Sequence, residues 1–271
     1  MTLWQSGDIV VNGLKLHYTR TGGVKPPVVL AHGFSDDGLC WTPVAEALAA
    51  DYDVVMVDAR GHGRSAAPEQ GYGSADHAND LAGVIKGLGL KRTAVLGHSM
   101  GAASTLVLAG LYPDLPRAIL LEDPPAWWVT TEAGVAVARP SPIRLGIIEL
   151  KRKTREEMIA QARSQSPTWP EAELGPWADA KLRFSFNVLA ANEPAPVDWS
   201  ETVHRITCPA LLITADPALG ALVTPESAAA LQALVPQTRI AHIAGAGHSI
   251  HREQFVRYME TVRSFLAESR P

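Results

Sequence analysis

The sequence predicts an α/β protein: a mostly parallel sheet of eight strands with helices on both faces. Short runs rich in Val, Ile and Leu, bounded by turn residues, alternate with longer stretches whose apolar residues recur at roughly a 3.6-residue period. Such alternation builds parallel strands joined by crossover helices. Several of the strand runs, such as Val28 to Ala31 and Ala118 to Leu121, are also apolar throughout, as strands covered on both faces are.

In chain order, Asp8 to Val11 and Leu14 to Thr19 form an opening hairpin across Asn12-Gly13, a dipeptide suited to a tight primed turn. Buried strands follow at Val28 to Ala31, Val54 to Asp58, Thr93 to Leu96, Ala118 to Leu121, Ala210 to Thr214 and Arg239 to Ile243. Helices are expected at Trp41 to Ala49, Asp76 to Leu88, Met100 to Tyr112, Pro225 to Leu234 and Arg252 to Ala267, and these supply the crossovers. Between Pro124 and Ile206 the rhythm breaks: the pattern is mostly helical, prolines are frequent and no buried strand stands out. Residues 1–123 and 207–271 therefore read as the core, and 124–206 as an inserted helical cap, or lid. Five of the seven tryptophans fall in this stretch. Large rings mostly pack against one another, but adjacent Trp127 and Trp128, directly after a strand end, are the candidates to line an apolar substrate pocket.

The 271 residues suffice for one large domain. Apolar residues at 46% and charged residues at 19% exclude a disordered chain. A net charge of -4 offers no basic field for a phosphate backbone, so nucleic acid is not an expected partner. Cys40 and Cys208 stand far apart and lack CxxC spacing, which argues against a disulfide framework or a cysteine zinc site and for a reducing compartment. Met1 to Gly13 holds no basic stretch followed by an apolar run, and no segment reaches the roughly 18 apolar residues a membrane helix needs. The expectation is a soluble, cytoplasmic protein, monomer or homodimer, without membrane insertion.

The chemistry is concentrated at Gly97-His98-Ser99-Met100-Gly101, between a strand and a helix that opens with small residues. A serine on so tight a turn is presented at the sheet edge, and glycine two residues to either side lets strand and helix approach without side-chain clashes. The helix N-terminus offers the backbone N–H of Met100 to a developing oxyanion. The bland alternative is a serine that only caps the helix.

With these residues in view, the chain resembles the α/β-hydrolase superfamily, in its serine esterase and lipase-like branch. The matching motifs, each after a strand and in this order, are His32-Gly33-Phe34, Asp58 to Ser65 (DARGHGRS), Gly97 to Gly101, and Gly245-Ala246-Gly247-His248. The resemblance implies the α/β-hydrolase fold, Ser99 as nucleophile and His248 as its base. His251, one turn beyond, is the rival, and His98 is assigned to packing. For the acid that orients the base, two aspartates qualify: Asp216, after Ala210 to Thr214, is placed first, and Asp123, after the preceding strand, is the alternative. The loop that follows Asp216 is longer than a short acid loop, and Asp216-Pro217 is also a turn former. Phe34 is implied as the second oxyanion donor, through its backbone N–H. His32 and Asp58 to Ser65 read as structural.

A serine where dehalogenases and epoxide hydrolases of this fold carry aspartate, with all five tyrosines outside the cap, demotes those activities. The histidines are scattered and no phosphate-cradling GxxxxGK[ST] occurs, so neither a metal nor a cofactor is expected. The expected function is a carboxylesterase acting on a small hydrophobic ester through an acyl-enzyme. A lactonase, amidase, carbon–carbon bond hydrolase or perhydrolase uses the same residues, and a ligand receptor on this fold is the non-enzyme alternative.

Overall fold

A computed structural model of the chain describes residues 4–129, 142–190 and 197–269. The opening hairpin is β1 (Gln5–Val11) and β2 (Leu14–Arg20), turning at Asn12 and Gly13, both at positive φ. Then come β3 (Pro27–Ala31), α1 (Thr42–Leu48), β4 (Asp53–Val57), α2 (Ser74–Gly87), β5 (Thr93–His98), α3 (Met100–Leu111) and β6 (Pro116–Glu122). Helices α4 (Pro142–Leu150), α5 (Arg155–Gln165), α6 (Glu171–Arg183), α7 (Asn187–Ala190) and α8 (Trp199–His204) precede β7 (Ala210–Thr214). The chain ends with α9 (Pro225–Leu234), β8 (Thr238–His242), α10 (Ile250–Glu253) and α11 (Phe255–Glu268). The single C-terminal helix expected from the sequence is broken at Gln254, whose φ of -133° and ψ of 50° are not helical.

The strands form one eight-stranded sheet in the order β1-β2-β4-β3-β5-β6-β7-β8. Only β1–β2 and β2–β4 are antiparallel. Strand alternation divides the core between the two faces. Val28, Leu30, Val54, Met56, Leu96 and Leu120 pack with Trp41, Leu48, Tyr258 and Phe265 of the α1 and α11 side. Their neighbours Val29, Val55, Val57 and Val95 face α2 and α3. Among the described residues no helix is long and apolar enough to cross a membrane.

This order positions the site. Strands β3, β5 and β6 lie side by side, with Ala31 opposite Gly97 and His98 opposite Glu122. Their C-terminal ends therefore bring the loop after Ala31, Ser99 and Asp123 together at one edge, where open parallel sheets hold their ligands.

Between β6 and β7, α5 begins with a capping box in which Thr154 accepts from the Glu157 N–H while Glu157 accepts from the Thr154 N–H. Helix α5 pairs with α6, where Arg155 meets Asp179 at 2.6 Å. Residues 130–141 and 191–196 of the expected cap lie outside the described residues. Helix α8 packs on α3, with Val203 and Ile206 beside Leu106 and Ala109, so this end of the stretch joins the core layer.

The α3–α8 contact gives a test with a definite sign. A Cβ at Gly110 would stand 2.2 Å from the Thr202 carbonyl oxygen. Alanine inside a helix is ordinarily favoured over glycine by about 1 kcal/mol. Here overpacking against main chain wins, and Gly110→Ala is expected to cost about 1–3 kcal/mol, read as a lower urea midpoint at unchanged m-value.

Candidate active site

Ser99 sits at the turn from β5 into α3 with φ 51° and ψ -114°, a conformation L-residues rarely adopt. The flanking glycines show why the turn is possible. A Cβ on Gly97 would lie 2.3 Å from the Gly101 carbonyl oxygen, and one on Gly101 would lie 2.1 Å from the Ala31 carbonyl oxygen. The Ser99 N–H donates to the Glu122 carbonyl at 2.9 Å, tying the turn to the end of β6.

His248 lies in the loop after β8, and its Nδ1 donates to Asp123 Oδ2 at 2.6 Å. The Asp123 carboxylate is fully buried and also accepts from the backbone N–H groups of Leu222 and Val223, at 2.8 and 2.9 Å. A carboxylate accepting several donors is fixed in position. With Nδ1 committed to Asp123, His248 Nε2 is the nitrogen left for proton transfer. Its ring is a third exposed.

These contacts put Asp123, and not the Asp216 placed first from the sequence, against His248. Asp216 does not reach His248: it accepts from the Gly245 N–H at 2.7 Å and pairs with His242 at 3.0 Å, tying the β7 loop to the β8 loop. The extra length after Asp216 has a use that the sequence reading missed, since Leu222 and Val223 at its far end grip the Asp123 carboxylate. Asp123 reaches His248 from a backbone φ of 41°, which directs it out of the line of β6.

His98 does more than pack. Its Nε2 donates to the His248 carbonyl at 2.9 Å and the two rings lie 4.7 Å apart, which sets the His248 loop beside Ser99. Burial lowers the His98 pKa to about 3, so the ring is neutral. Among the described residues the Ser99 hydroxyl makes no hydrogen bond; a contact of this kind tightens as substrate fills the site. His251, the rival base, is buried, and its Nδ1 meets Glu122 at 2.8 Å.

Phe34 follows Gly33 in the loop after β3, and Met100 opens α3, where a first-turn N–H has no intrahelical acceptor. The Phe34 ring packs edge-on against Phe184 at 5.3 Å, joining the loop to the helices between β6 and β7. The main chain after Phe34 is held by charge. Lys181 Nζ donates to the Ser35 carbonyl at 3.0 Å and to Asp36 Oδ1 at 2.6 Å, and Arg252 donates to Asp36 Oδ2 at 2.9 Å and to Glu173 at 3.3 Å. Burial pushes the Asp36 carboxyl up, but Arg252 and Lys181 outweigh it and hold the group well below the usual carboxylate range.

Of the two tryptophans expected to line a pocket, Trp128 is buried in the core and its ring N–H donates to the Ser227 carbonyl at 2.8 Å, so it faces α9. Trp127 is partly exposed and packs on Trp199 at 5.2 Å. Trp169 and Trp177 lie over Arg252 and Lys181, at 4.6 and 5.0 Å. The motif from Asp58 braces the loops: Asp58 accepts from the Gly38 and Arg64 N–H groups at 2.8 Å, and Arg60 meets both Asp80 oxygens at 2.6 Å.

A serine on a strained strand-to-helix turn, near a histidine held by a buried carboxylate, fits a hydrolase of the α/β class. The chain belongs to the alpha/beta hydrolase family, whose model matches residues 28–260. It is 29% identical to N-formylmaleamate deformylase of Pseudomonas putida over 92% of this chain and 91% of that protein. Among solved structures it is similar to an N-formylmaleamic acid deformylase from Pseudomonas putida, with TM-score 0.79 and 25% identity, covering 95% of this chain and 100% of that one. It is equally similar in identity, at 25%, to an esterase from Rhodococcus, with TM-score 0.78, covering 98% of this chain and 99% of the other.

The buried imidazoles set a pH dependence. His77, like His98, is lowered to about 3 by burial, and His62 is also pushed well below its ordinary value of 6.5. The folded chain keeps these rings neutral while the unfolded chain takes up protons below about 6.5. Unfolded chains then bind more protons, so stability falls as pH drops through the window from 6.5 toward 3 for His77 and His98. Each ring contributes about 1.4 kcal/mol per pH unit there. Melting temperature is expected to be nearly flat above about pH 7 and to fall steadily below about pH 6; a midpoint that holds to about pH 4 would refute the neutral assignment.

Proposed function

We propose that the chain is a cofactor-free serine hydrolase that transfers an acyl group to water. The observation that carries this reading is the hydrogen bond from His248 to the buried Asp123 carboxylate, next to a serine on a strained elbow. Ser99 attacks the substrate carbonyl as His248 Nε2 takes its proton, and the carbonyl electrons collect on oxygen facing the Phe34 and Met100 N–H groups. The tetrahedral species collapses as His248 gives that proton to the leaving group. Water then enters by the same route in reverse, and the acyl group departs as a carboxylic acid. Asp123 holds the imidazole in the productive tautomer and stabilises its charged form.

The substrate we place first is a small hydrophobic carboxylic ester, a reading supported by the likeness to an esterase. A second reading is hydrolysis of an N-formyl amide, favoured by a deformylase relative that matches along nearly the whole chain. Both pass through the same tetrahedral oxyanion and differ in the leaving group, where nitrogen needs its proton before it departs.

Two comparisons test the reading. Initial rates on p-nitrophenyl esters from acetyl to palmitoyl, beside N-formylmaleamate, should show turnover in the native chain and none in Ser99→Ala, with fluorophosphonate mapping to Ser99. Peak turnover on an ester sizes the acyl site, turnover on the formyl amide alone selects the second reading, and absence of label at Ser99 ends both. Asp123→Asn is expected to lower kcat by about 10⁴-fold, whereas Asp216→Asn should keep kcat within a few-fold and lower the melting temperature.

A further inference from the structure

The peptide unit joining Gly33 to Phe34 carries the Phe34 N–H at one end and the Gly33 carbonyl at the other. Because the unit is planar, fixing its carbonyl fixes the direction of its N–H. The Gly33 carbonyl accepts from the Asp36 N–H at 3.1 Å and from His32 Nδ1 at 2.8 Å. His32 is in turn locked, because its Nε2 accepts from the Ala59 N–H at 3.0 Å, leaving the proton on Nδ1. The Asp36 N–H reaches Gly33 through a turn whose Ser35 has φ 65°, costly for a residue with a side chain.

Something must hold that turn, and the groups that grip it come from elsewhere in the chain. Lys181, on α6, donates to the carbonyl of the strained Ser35 and to the Asp36 carboxylate. Arg252, on α10 and four residues past His248, takes the other Asp36 oxygen. Lys181, Arg252, Asp36 and Glu173 are all buried and their charges cancel. Lys181 is thus sealed from water, and two of its ammonium donors go to main chain and carboxylate of the loop after Phe34.

We propose that Lys181 is a positioning residue for the oxyanion donor at Phe34: it holds the Ser35–Asp36 turn, which holds the Gly33–Phe34 peptide. The proposal rests on the acyl-transfer reading above. It makes helix α6, far from Ser99 in sequence, a part of what orients the oxyanion site. Without the ammonium, the Ser35 carbonyl and one Asp36 oxygen lose their donor, the turn relaxes toward ordinary φ, and the Phe34 N–H swings off the developing charge. Misplacing a catalytic group by about 1 Å can cost 10²-fold.

The test compares Lys181→Met with Lys151→Met. Lys151 Nζ caps the Lys181, Leu182 and Phe184 carbonyls, anchoring the end of α6 without touching the oxyanion loop. In Lys181→Met, kcat is expected to fall about tenfold to a hundredfold with KM within about threefold. Affinity for a trifluoromethyl ketone, whose serine adduct carries the oxyanion, should fall by the same factor. Lys151→Met should melt at lower temperature yet keep kcat and ketone affinity. If Lys181→Met does not fold, the double variant Lys181→Met/Asp36→Asn restores charge balance, leaves Ser35 unheld, and should show the same paired loss. Unchanged kcat and ketone affinity in whichever variant folds overturns the proposal, as does an equal loss in Lys151→Met. A native chain that neither binds the ketone nor takes the fluorophosphonate label overturns the acyl-transfer reading itself, and the proposal with it.

Discussion

The contact on which the site depends is main chain against main chain: the first turn of α3 presses Gly101 onto the Ala31 carbonyl, and Gly97 presses onto Gly101. With β5, α3 and β3 this close, the residue between the glycines cannot continue the strand or begin the helix in ordinary geometry. Ser99 takes positive φ for that reason. The same reversal aims His98 toward the His248 carbonyl and leaves no room for a side chain on Gly33, where a Cβ would lie 2.6 Å from the His98 ring. The Ser99 turn, the His248 loop and the loop after β3 thus meet around one imidazole. The Ser99 turn is set by backbone packing and the two loops by buried side chains, so the geometry is held before substrate arrives.

Around this centre lies a layer of buried charge. Four ionised groups in the interior carry a desolvation cost, and they persist because they cancel in pairs and satisfy one another's hydrogen bonds. Such a cluster is weak evidence for stability, since apolar residues of the same volume could serve as well. What apolar residues could not supply is a donor to the Ser35 carbonyl. The indole rings of Trp169 and Trp177 over the two cations seal the cluster, so part of the tryptophan content is spent on covering charge.

The sheet was legible because its residues obey local rules. Apolar runs such as Val28 to Ala31 and Ala210 to Thr214 are strands as expected, and the glycines of the Ser99 turn have sterics that no distant contact can waive. The partner of His248 was not legible in the same way. Asp123 and Asp216 each follow a strand at the same edge, and which one meets His248 depends on the path of the loop from Asp216 to Val223 and on one positive φ at Asp123. Neither leaves a signature in composition or period. Trp128 was misread for a related reason: an indole after a strand end serves a pocket or a core equally well, and its Ser227 partner lies 99 positions away in sequence. Lys181 gave no local sign at all, because its partners are 145 and 146 residues distant.

The end of β6 shows how one strand serves both the chemistry and its support. Glu122 and Asp123 are adjacent, and each holds a histidine: Glu122 meets His251 and Asp123 meets His248. Glu122 ends the strand, and its buried carboxylate accepts both the ring and the backbone N–H of His251. Burial raises its pKa, but the contacts with His251 outweigh that and leave it at about 2, so it is ionised. The His251 ring is clasped between Trp41 at 4.6 Å and His98 at 5.2 Å. This fixes α10 on the sheet, and with it Arg252, the residue that reaches Asp36. Asp123, turned by its positive φ, reaches the half-open side where His248 stands. Two neighbouring carboxylates thus divide the work: the one in regular strand geometry anchors the helix that carries Arg252, and the one forced out of it is left to meet His248.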